Sequence, residues 1–344
     1  MSENKKLKFG VIGTGFWSTL QIPAWYEVGS VELVALYNRT KSKAEEFAKI
    51  YPAVNVYDSP EEMFENEKLD FVDIITEVPV HEKYVLMAAK YKVPVICQKP
   101  MAETFESCLR MYNACKEAGI PYFIHENFRY QSFYWHFKSV LDENLIGKIR
   151  RADMFIYNGG KVVYSIQPFL KQLPHQILTD MGSHMFDLAR YFFGEPQSVY
   201  ANTIRTFPDI PADNYMAALL KYKDMICFVA MGERGMTPIF VDGESGTLQM
   251  GFDGNITITT PEKTEIRQCP KSPEYKWADH VKDYLPPRFL QAIVECNRSF
   301  LKALLTGTKP QTDGEDNLKT MEIVFASCES VEKNTVVELK RGSK

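Results

Sequence analysis

Three groups of residues in this 344-residue sequence carry side chains suited to chemistry. Lys99 follows the apolar run Val95-Ile96-Cys97 within Gln98-Lys99-Pro100. A long cation just past the end of an expected strand can hold a substrate hydroxyl, polarise a carbonyl or take part in proton transfer. Asp180-Met181-Gly182-Ser183-His184 sets a carboxylate and an imidazole at i and i+4, on one face if the segment is helical. Neutral His184 can accept the proton of an alcohol under oxidation, Asp180 can bond the substrate or tune the imidazole, and Asp187 stands in reserve behind them. The third group, Gly13-Thr14-Gly15-Phe16-Trp17-Ser18, has the spacing of a GxGxxG dinucleotide turn with serine at the last glycine position. Gly13 permits the tight turn, Gly15 lets backbone amides approach a pyrophosphate, and Ser18 is small enough for close helix packing. Each group alone has an ordinary reading: a solvated lysine, an Asp/His packing pair, a turn. Together they point to hydride transfer between a nicotinamide and a hydroxylated carbon.

These residues need elements to hold them. Apolar runs at 8–12, 31–37, 71–75 and 93–97 alternate with helical stretches at 18–28, 42–50 and 81–90. That order predicts a parallel sheet with crossovers, reaching about residue 125. The glycine turn then joins the first strand to the first helix, the context a dinucleotide site requires. Asn38 closes the second strand, where an acidic residue would accept hydrogen bonds from the ribose of NAD. A neutral Asn38 beside Arg39 tilts the expectation toward the 2′-phosphate of NADP. After a helix at 132–142 the rhythm changes. Strand-like segments at 148–157, 198–205, 214–221, 225–231, 237–241, 246–250 and 255–260, with helices at 180–193, 287–305 and 315–333, predict an α+β domain with a sizeable antiparallel sheet. The division falls into 1–125 for the cofactor and 126–344 for substrate binding and assembly, with a cleft expected between them.

Composition removes several alternatives. With 45% hydrophobic and 24% charged residues the chain reads as an ordinary globular protein, and 44 acidic against 40 basic side chains give a net charge of −4. No nucleic-acid partner and no membrane partner is expected from that balance. Neither a secretory leader nor an apolar 18-residue run is present, so a cytoplasmic protein is expected. Seven scattered cysteines lack a close pair, and six histidines form no short-spacing ligand set, so no metal is expected. Neither a GxSxG elbow nor a GxxxxGK[ST] loop occurs.

GVIGTGFWS, QKP, HENFRY and DMGSH, in that order along the chain, resemble the Gfo/Idh/MocA family of NAD(P)-dependent oxidoreductases. The resemblance implies a Rossmann domain, then an α+β domain with a large open, mainly antiparallel sheet. It also implies hydride transfer to or from a sugar, inositol or related polyol, NAD or NADP as cofactor, and a homodimer or homotetramer formed through that sheet. Lys99, Asp180 and His184 match the family's catalytic residues, although Gln98 replaces the acid of its usual EKP motif. Thr76 and His81 match a segment expected to line the nicotinamide pocket. Together with Gly13, Thr14, Gly15, Phe16, Trp17, Asn38, Arg39, Gln98 and Asn127 they make up the expected cofactor contacts. Asn127 and Arg129 match the segment joining the domains. Gln167-Pro168-Phe169 and DMGSH resemble a branch that includes apiose and other pentose dehydrogenases. Arg129, Asn158 and Gln167, with Tyr157 and Lys161 nearby, are the expected substrate contacts beside the catalytic three. A glycosidase using transient hydride transfer and a non-catalytic NAD(P)-responsive interaction protein are the alternative readings.

Overall fold

The computed structural model describes residues 6–51, 54–157, 160–173, 175–232, 239–281, 283 and 285–340. In chain order the elements are β1 (Leu7–Ile12), α1 (Ser18–Val28), β2 (Val31–Tyr37), α2 (Lys41–Ala48), β3 (Asn55–Tyr57), α3 (Pro60–Asn66), β4 (Phe71–Ile74), α4 (His81–Tyr91), β5 (Val95–Cys97), α5 (Phe105–Ala118) and β6 (Tyr122–Ile124). There follow α6 (Ser132–Asp142), β7 (Ile149–Tyr157), α7 (Lys161–Ile166), α8 (Gly182–Phe193), β8 (Ser198–Ile204), β9 (Tyr215–Lys221), β10 (Ile226–Gly232) and β11 (Ile239–Gly243). The chain ends with β12 (Gly246–Met250), β13 (Ile256–Thr259), β14 (Thr264–Arg267), α9 (Pro287–Thr306), α10 (Gly314–Lys333) and β15 (Val337–Glu338).

The first sheet is parallel, in the order β3-β2-β1-β4-β5-β6. Helices cover both faces of such a sheet, so its strands are continuous apolar runs: β4 and β5 are buried along their whole length. Phe9 of β1 stacks on Phe71 of β4 at 5.1 Å, and the Trp25 ring of α1 lies 5.0 Å from Phe71. Helix starts follow local chemistry. Ser59 caps α3 by accepting from the Glu62 amide ahead of Pro60, and Thr104 caps α5 by accepting from Ser107. Strand order reverses between β1 and β4, so connections leave those neighbours on opposite sides and open a crevice at their C-terminal ends.

The second sheet runs β14-β13-β12-β11-β7-β10-β9-β8-β15 and is antiparallel except where β7 pairs with β10. Met154, Ala218, Leu220, Cys227 and Val229 face inward and are buried. On the other face Tyr200 lies opposite Leu219, and Leu219 opposite Phe228. Tyr200, Leu219 and Phe155 are exposed there, leaving an apolar strip in solvent.

The expected single cut near residue 125 does not describe the packing. Contacts gather the chain into two compact units, Met1–Tyr130 with Pro273–Leu318, and Gln131–Ser272 with Lys319–Lys344. The cause is α9, whose Leu290, Ile293 and Val294 pack on Leu20 and Ala24 of α1. Its Asn297 donates to the Gln21 carbonyl at 3.3 Å, while His125 Nε2 lies 3.0 Å from Asn297 Oδ1.

Candidate active site

The glycine turn stands at the crevice between β1 and β4. Gly13 has φ +102°, and a Cβ there would fall 2.2 Å from the Ile75 carbonyl oxygen, so no other residue fits. Ser18 occupies the last glycine position with a purpose: its buried hydroxyl donates to the Gly13 carbonyl at 2.8 Å and braces the turn. A Cβ on Gly15 would meet nothing within 4 Å, leaving room for a ligand against the backbone. The Thr14 amide donates to Asn38 Oδ1 at 3.1 Å, and Asn38 Nδ2 donates to the Thr40 carbonyl at 2.9 Å. Asn38 therefore anchors the turn as well as ending β2. Arg39 beside it is exposed. The partly buried Phe16 and Trp17 rings pack with Phe289 and Leu20 in the apolar cluster beside α9, which fixes this end of the turn.

Lys99 emerges half-buried from β5, above a buried polar network. Its amide donates to Gln98 Oε1 at 3.3 Å, Gln98 Nε2 donates to Gln21 Oε1, and Gln21 Nε2 donates to both Asp73 oxygens at 2.7 and 2.8 Å. The Trp25 indole donates to Asp73 at 2.8 Å. Asp73 is fully buried, and burial pushes its carboxyl up to about 7 despite the opposing pull of the Trp25 and Gln21 hydrogen bonds. His81, also fully buried, faces the Pro100 and Met101 carbonyls with Nδ1 at 3.2 and 3.3 Å and the Thr76 carbonyl with Nε2 at 3.1 Å. Burial lowers its pKa against the opposing pull of those carbonyls. The ring thus bolts the segment after β4 to the turn that carries Lys99. Arg129 is likewise engaged: its guanidinium meets Asp316 at 2.8 Å and donates to the Gln311 carbonyl at 3.0 Å.

In the second unit Asp180 lies in a π-helical turn, Ile177–Met181, that leads into α8. The expected single α-helix over 180–193 therefore begins as a π-turn where the Asp180 carboxylate stands and becomes α-helical from Gly182. Ser183 donates to the Asp180 carbonyl at 2.8 Å within this turn. Gln176 donates to the Asp180 carboxylate at 3.3 Å and accepts from the Tyr164 hydroxyl at 3.1 Å, an orienting chain buried throughout. His184 is buried in the first turn of α8. Asp187 accepts from Thr320 at 2.8 Å and is closed off entirely, a structural role. Lys161 pairs with Asp209 at 2.8 Å on the surface, Tyr157 is exposed, and Gln167 is half-buried with its carbonyl accepting from the Leu170 amide at 3.1 Å. Asn158 lies outside the described residues.

Sequence reasoning passed over Gln21, Trp25, Asp73 and Gln176. The signals were present: a lone aspartate inside the apolar run of β4, Gln21 and Trp25 four apart on α1, and Gln176 four before Asp180.

The residues around the turn fit a dinucleotide. Thr14 Oγ1, Thr76 Oγ1 and Asn127 Oδ1 are buried polar atoms with no protein partner, each on a segment expected to touch cofactor. Buried polar atoms are nearly always paired, so such atoms call for a ligand. Among the described residues no group of three His, Cys, Asp or Glu side chains is arranged to hold a metal ion. No helix among them is long and apolar enough to cross a membrane.

Comparison with known proteins agrees with this geometry. Residues 7–126 match the family described as "Oxidoreductase family, NAD-binding Rossmann fold", and residues 134–249 match the "GFO/IDH/MocA C-terminal domain". D-apiose dehydrogenase from Paraburkholderia graminis is 32% identical over 98% of this chain and 90% of its own length. The D-apiose dehydrogenase of Rhizobium rhizogenes is 30% identical over 97% and 98%. A solved oxidoreductase from Agrobacterium radiobacter, in complex with NAD+, L-tartaric acid and magnesium, superposes with a TM-score of 0.90 at 29% identity, covering 97% of this chain and 98% of that one. A glycine turn built for a dinucleotide, a lysine at the end of β5 and full-length likeness to these enzymes lead to one statement: the chain belongs to the Gfo/Idh/MocA oxidoreductases, a family of NAD(P)-dependent sugar and polyol dehydrogenases.

Proposed function

We propose that this protein is a dehydrogenase acting on a pentose-class sugar, D-apiose being the first substrate to try, and that Lys99, Asp180 and His184 carry the reaction. The observation behind it is the glycine turn with its unpartnered buried polar atoms, set in the same sheet as a half-buried lysine at a strand end. The sugar class comes from the two apiose enzymes, whose likeness runs the length of the chain. Bound NAD(P) supplies the hydride acceptor in oxidation and the donor in reduction. Backbone amides of the Gly13–Ser18 turn hold the pyrophosphate, and Thr76 and Asn127 hold the nicotinamide end. Lys99 donates hydrogen bonds to the reacting oxygen and stabilises its developing charge. His184 takes the hydroxyl proton during oxidation and returns it during reduction, with Asp180, oriented by Gln176, fixing the substrate. The neutral Asn38 and exposed cationic Arg39 favour NADP over NAD.

In this reading the open sheet face carries the assembly. Tyr200, Leu219, Phe228 and Phe155 form the strip that a second copy covers, giving a homodimer or a homotetramer. The seven cysteines are free and six are buried, which suits the reducing cytoplasm.

The test is a screen of sugars, inositols and their lactones or ketones with both NAD and NADP, read by reduced-nicotinamide absorbance. His184→Ala should lower turnover on the best substrate by about 100-fold or more while NADPH still binds. Wild-type turnover in that variant would refute the assignment. A glycoside consumed with no net absorbance change would favour the transient-redox glycosidase instead.

A further inference from the structure

The hydrogen bonds beneath Lys99 all run one way. The Lys99 amide donates to Gln98, Gln98 donates to Gln21, and Gln21 donates to Asp73. Each glutamine accepts on the Lys99 side and donates on the Asp73 side, using the carbonyl oxygen and the NH2 of its amide. An ionised carboxylate only accepts, so it must stand at the end of such a chain. Asp73, ionised above about pH 7, is that end, and the Trp25 indole supplies it a further donor from α1. A second carboxylate at position 98 would set acceptor against acceptor at Gln21 Oε1. Turning the Gln21 amide over would satisfy position 98 but present Oε1 to Asp73. Gln21, Asp73 and Gln98 are all buried, so water does not relieve either conflict.

We propose that Asp73, Gln21 and Gln98 form a positioning chain for Lys99 that accommodates one carboxylate, and that its location at Asp73 is what requires an amide at position 98. The proposal rests on the reading of Lys99 as the group that holds the reacting oxygen. Moving the charge should then be tolerated where adding or deleting it is not. In the double variant Asp73→Asn with Gln98→Glu, the turned-over Gln21 donates to the carboxylate at position 98 and accepts from the amide at position 73, so the chain is complete in reverse.

The experiment, run at about pH 8 so that Asp73 is ionised, compares Asp73→Asn, Gln98→Glu, the double variant, Gln98→Leu and Lys99→Met. It reads kcat and KM on the best substrate of the screen, NADPH binding by fluorescence, and Tm. Gln98→Glu and Asp73→Asn are each expected to lower kcat about tenfold or more with KM little changed, and the double variant to recover most of that loss. Gln98→Leu, which breaks the chain without adding charge, should lower kcat with no recovery by Asp73→Asn. Wild-type kcat in Gln98→Glu, or a double variant no better than the worse single one, overturns the proposal. If a single variant does not fold, recovery of folded protein and Tm in the double variant supports the one-carboxylate rule, and its absence overturns it. Lys99→Met separates the two levels. If it keeps wild-type kcat, the catalytic reading of Lys99 fails, and the charge rule is judged on Tm alone. If it abolishes kcat while Gln98→Leu does not change it, the positioning proposal fails and Lys99 stands.

Discussion

Replacing Asp73 by asparagine removes a charge from a site closed to solvent, and the effect on stability should change with pH. Burial, opposed by the Trp25 and Gln21 hydrogen bonds, holds this carboxyl at about 7 against an ordinary 3.8. Between those values the folded protein keeps a proton that the unfolded chain has released. The native state then binds more protons, so the stability contributed by Asp73 is full below the unfolded value, falls as pH rises, and is level above about 7. A displacement of about three pH units at about 1.4 kcal/mol each gives a span of ~4 kcal/mol. An asparagine side chain has no proton to lose, so the variant should gain on the wild type by about that amount between about pH 4 and pH 8, whatever constant offset the substitution adds. Cys97 on β5 feels the Asp73 charge as well. Burial first and the Asp73 charge second push its thiol well above 9.0, leaving it silent over this interval. The assay is urea unfolding followed by tryptophan fluorescence, because Trp25 itself donates to Asp73. Two compact units need not unfold together, so the comparison uses the transition that carries the Trp25 signal. A difference that stays constant within about 1 kcal/mol across the range, or slopes the other way, would refute the burial argument.

Gly13→Ala puts a methyl group 2.2 Å from the Ile75 carbonyl in a backbone conformation that L-residues avoid, so β1 and β4 must separate at their ends. NADPH titration should show binding lost, and Tm should fall with a destabilisation of about 2 kcal/mol or more. Leu219→Glu plants a charge between Tyr200 and Phe228 on the open sheet face. Sedimentation velocity should show a smaller species than the wild type, and a wild type that already sediments as a monomer would dismiss that face as an interface.

Several helices and strands and the glycine turn were legible because their signals are local. Strands β1, β2, β4 and β5 announce themselves as apolar runs, and GTGFWS carries its own spacing. Other elements escaped: β3 and β6, which are made by pairing with β2 and β5, and the helix α5 over Phe105–Ala118. The return of α9 to the first unit was not written locally either, since an amphipathic stripe does not say which surface it covers. At the site, residue type pointed to Lys99, Asp180 and His184, but not to what others do once folded. His81 and Arg129 are singled out by their match to family segments, which does not tell that folding gives His81 three backbone carbonyls to face and Arg129 the Asp316 carboxylate and the Gln311 carbonyl. The π-turn at Asp180 adds one residue to a helical turn, a change that sequence periodicity does not register.

Asn38 ties coenzyme choice to loop integrity. An acidic residue at this position is the usual device for favouring NAD over NADP. Here its amide nitrogen holds the Thr40 carbonyl while its oxygen holds the Thr14 amide, so aspartate would keep one tether and set an anion against the other carbonyl. An aspartate at residue 38 therefore removes one of the two side-chain tethers of this loop, while the Thr40 carbonyl keeps the Lys43 amide, which donates to it at 3.0 Å.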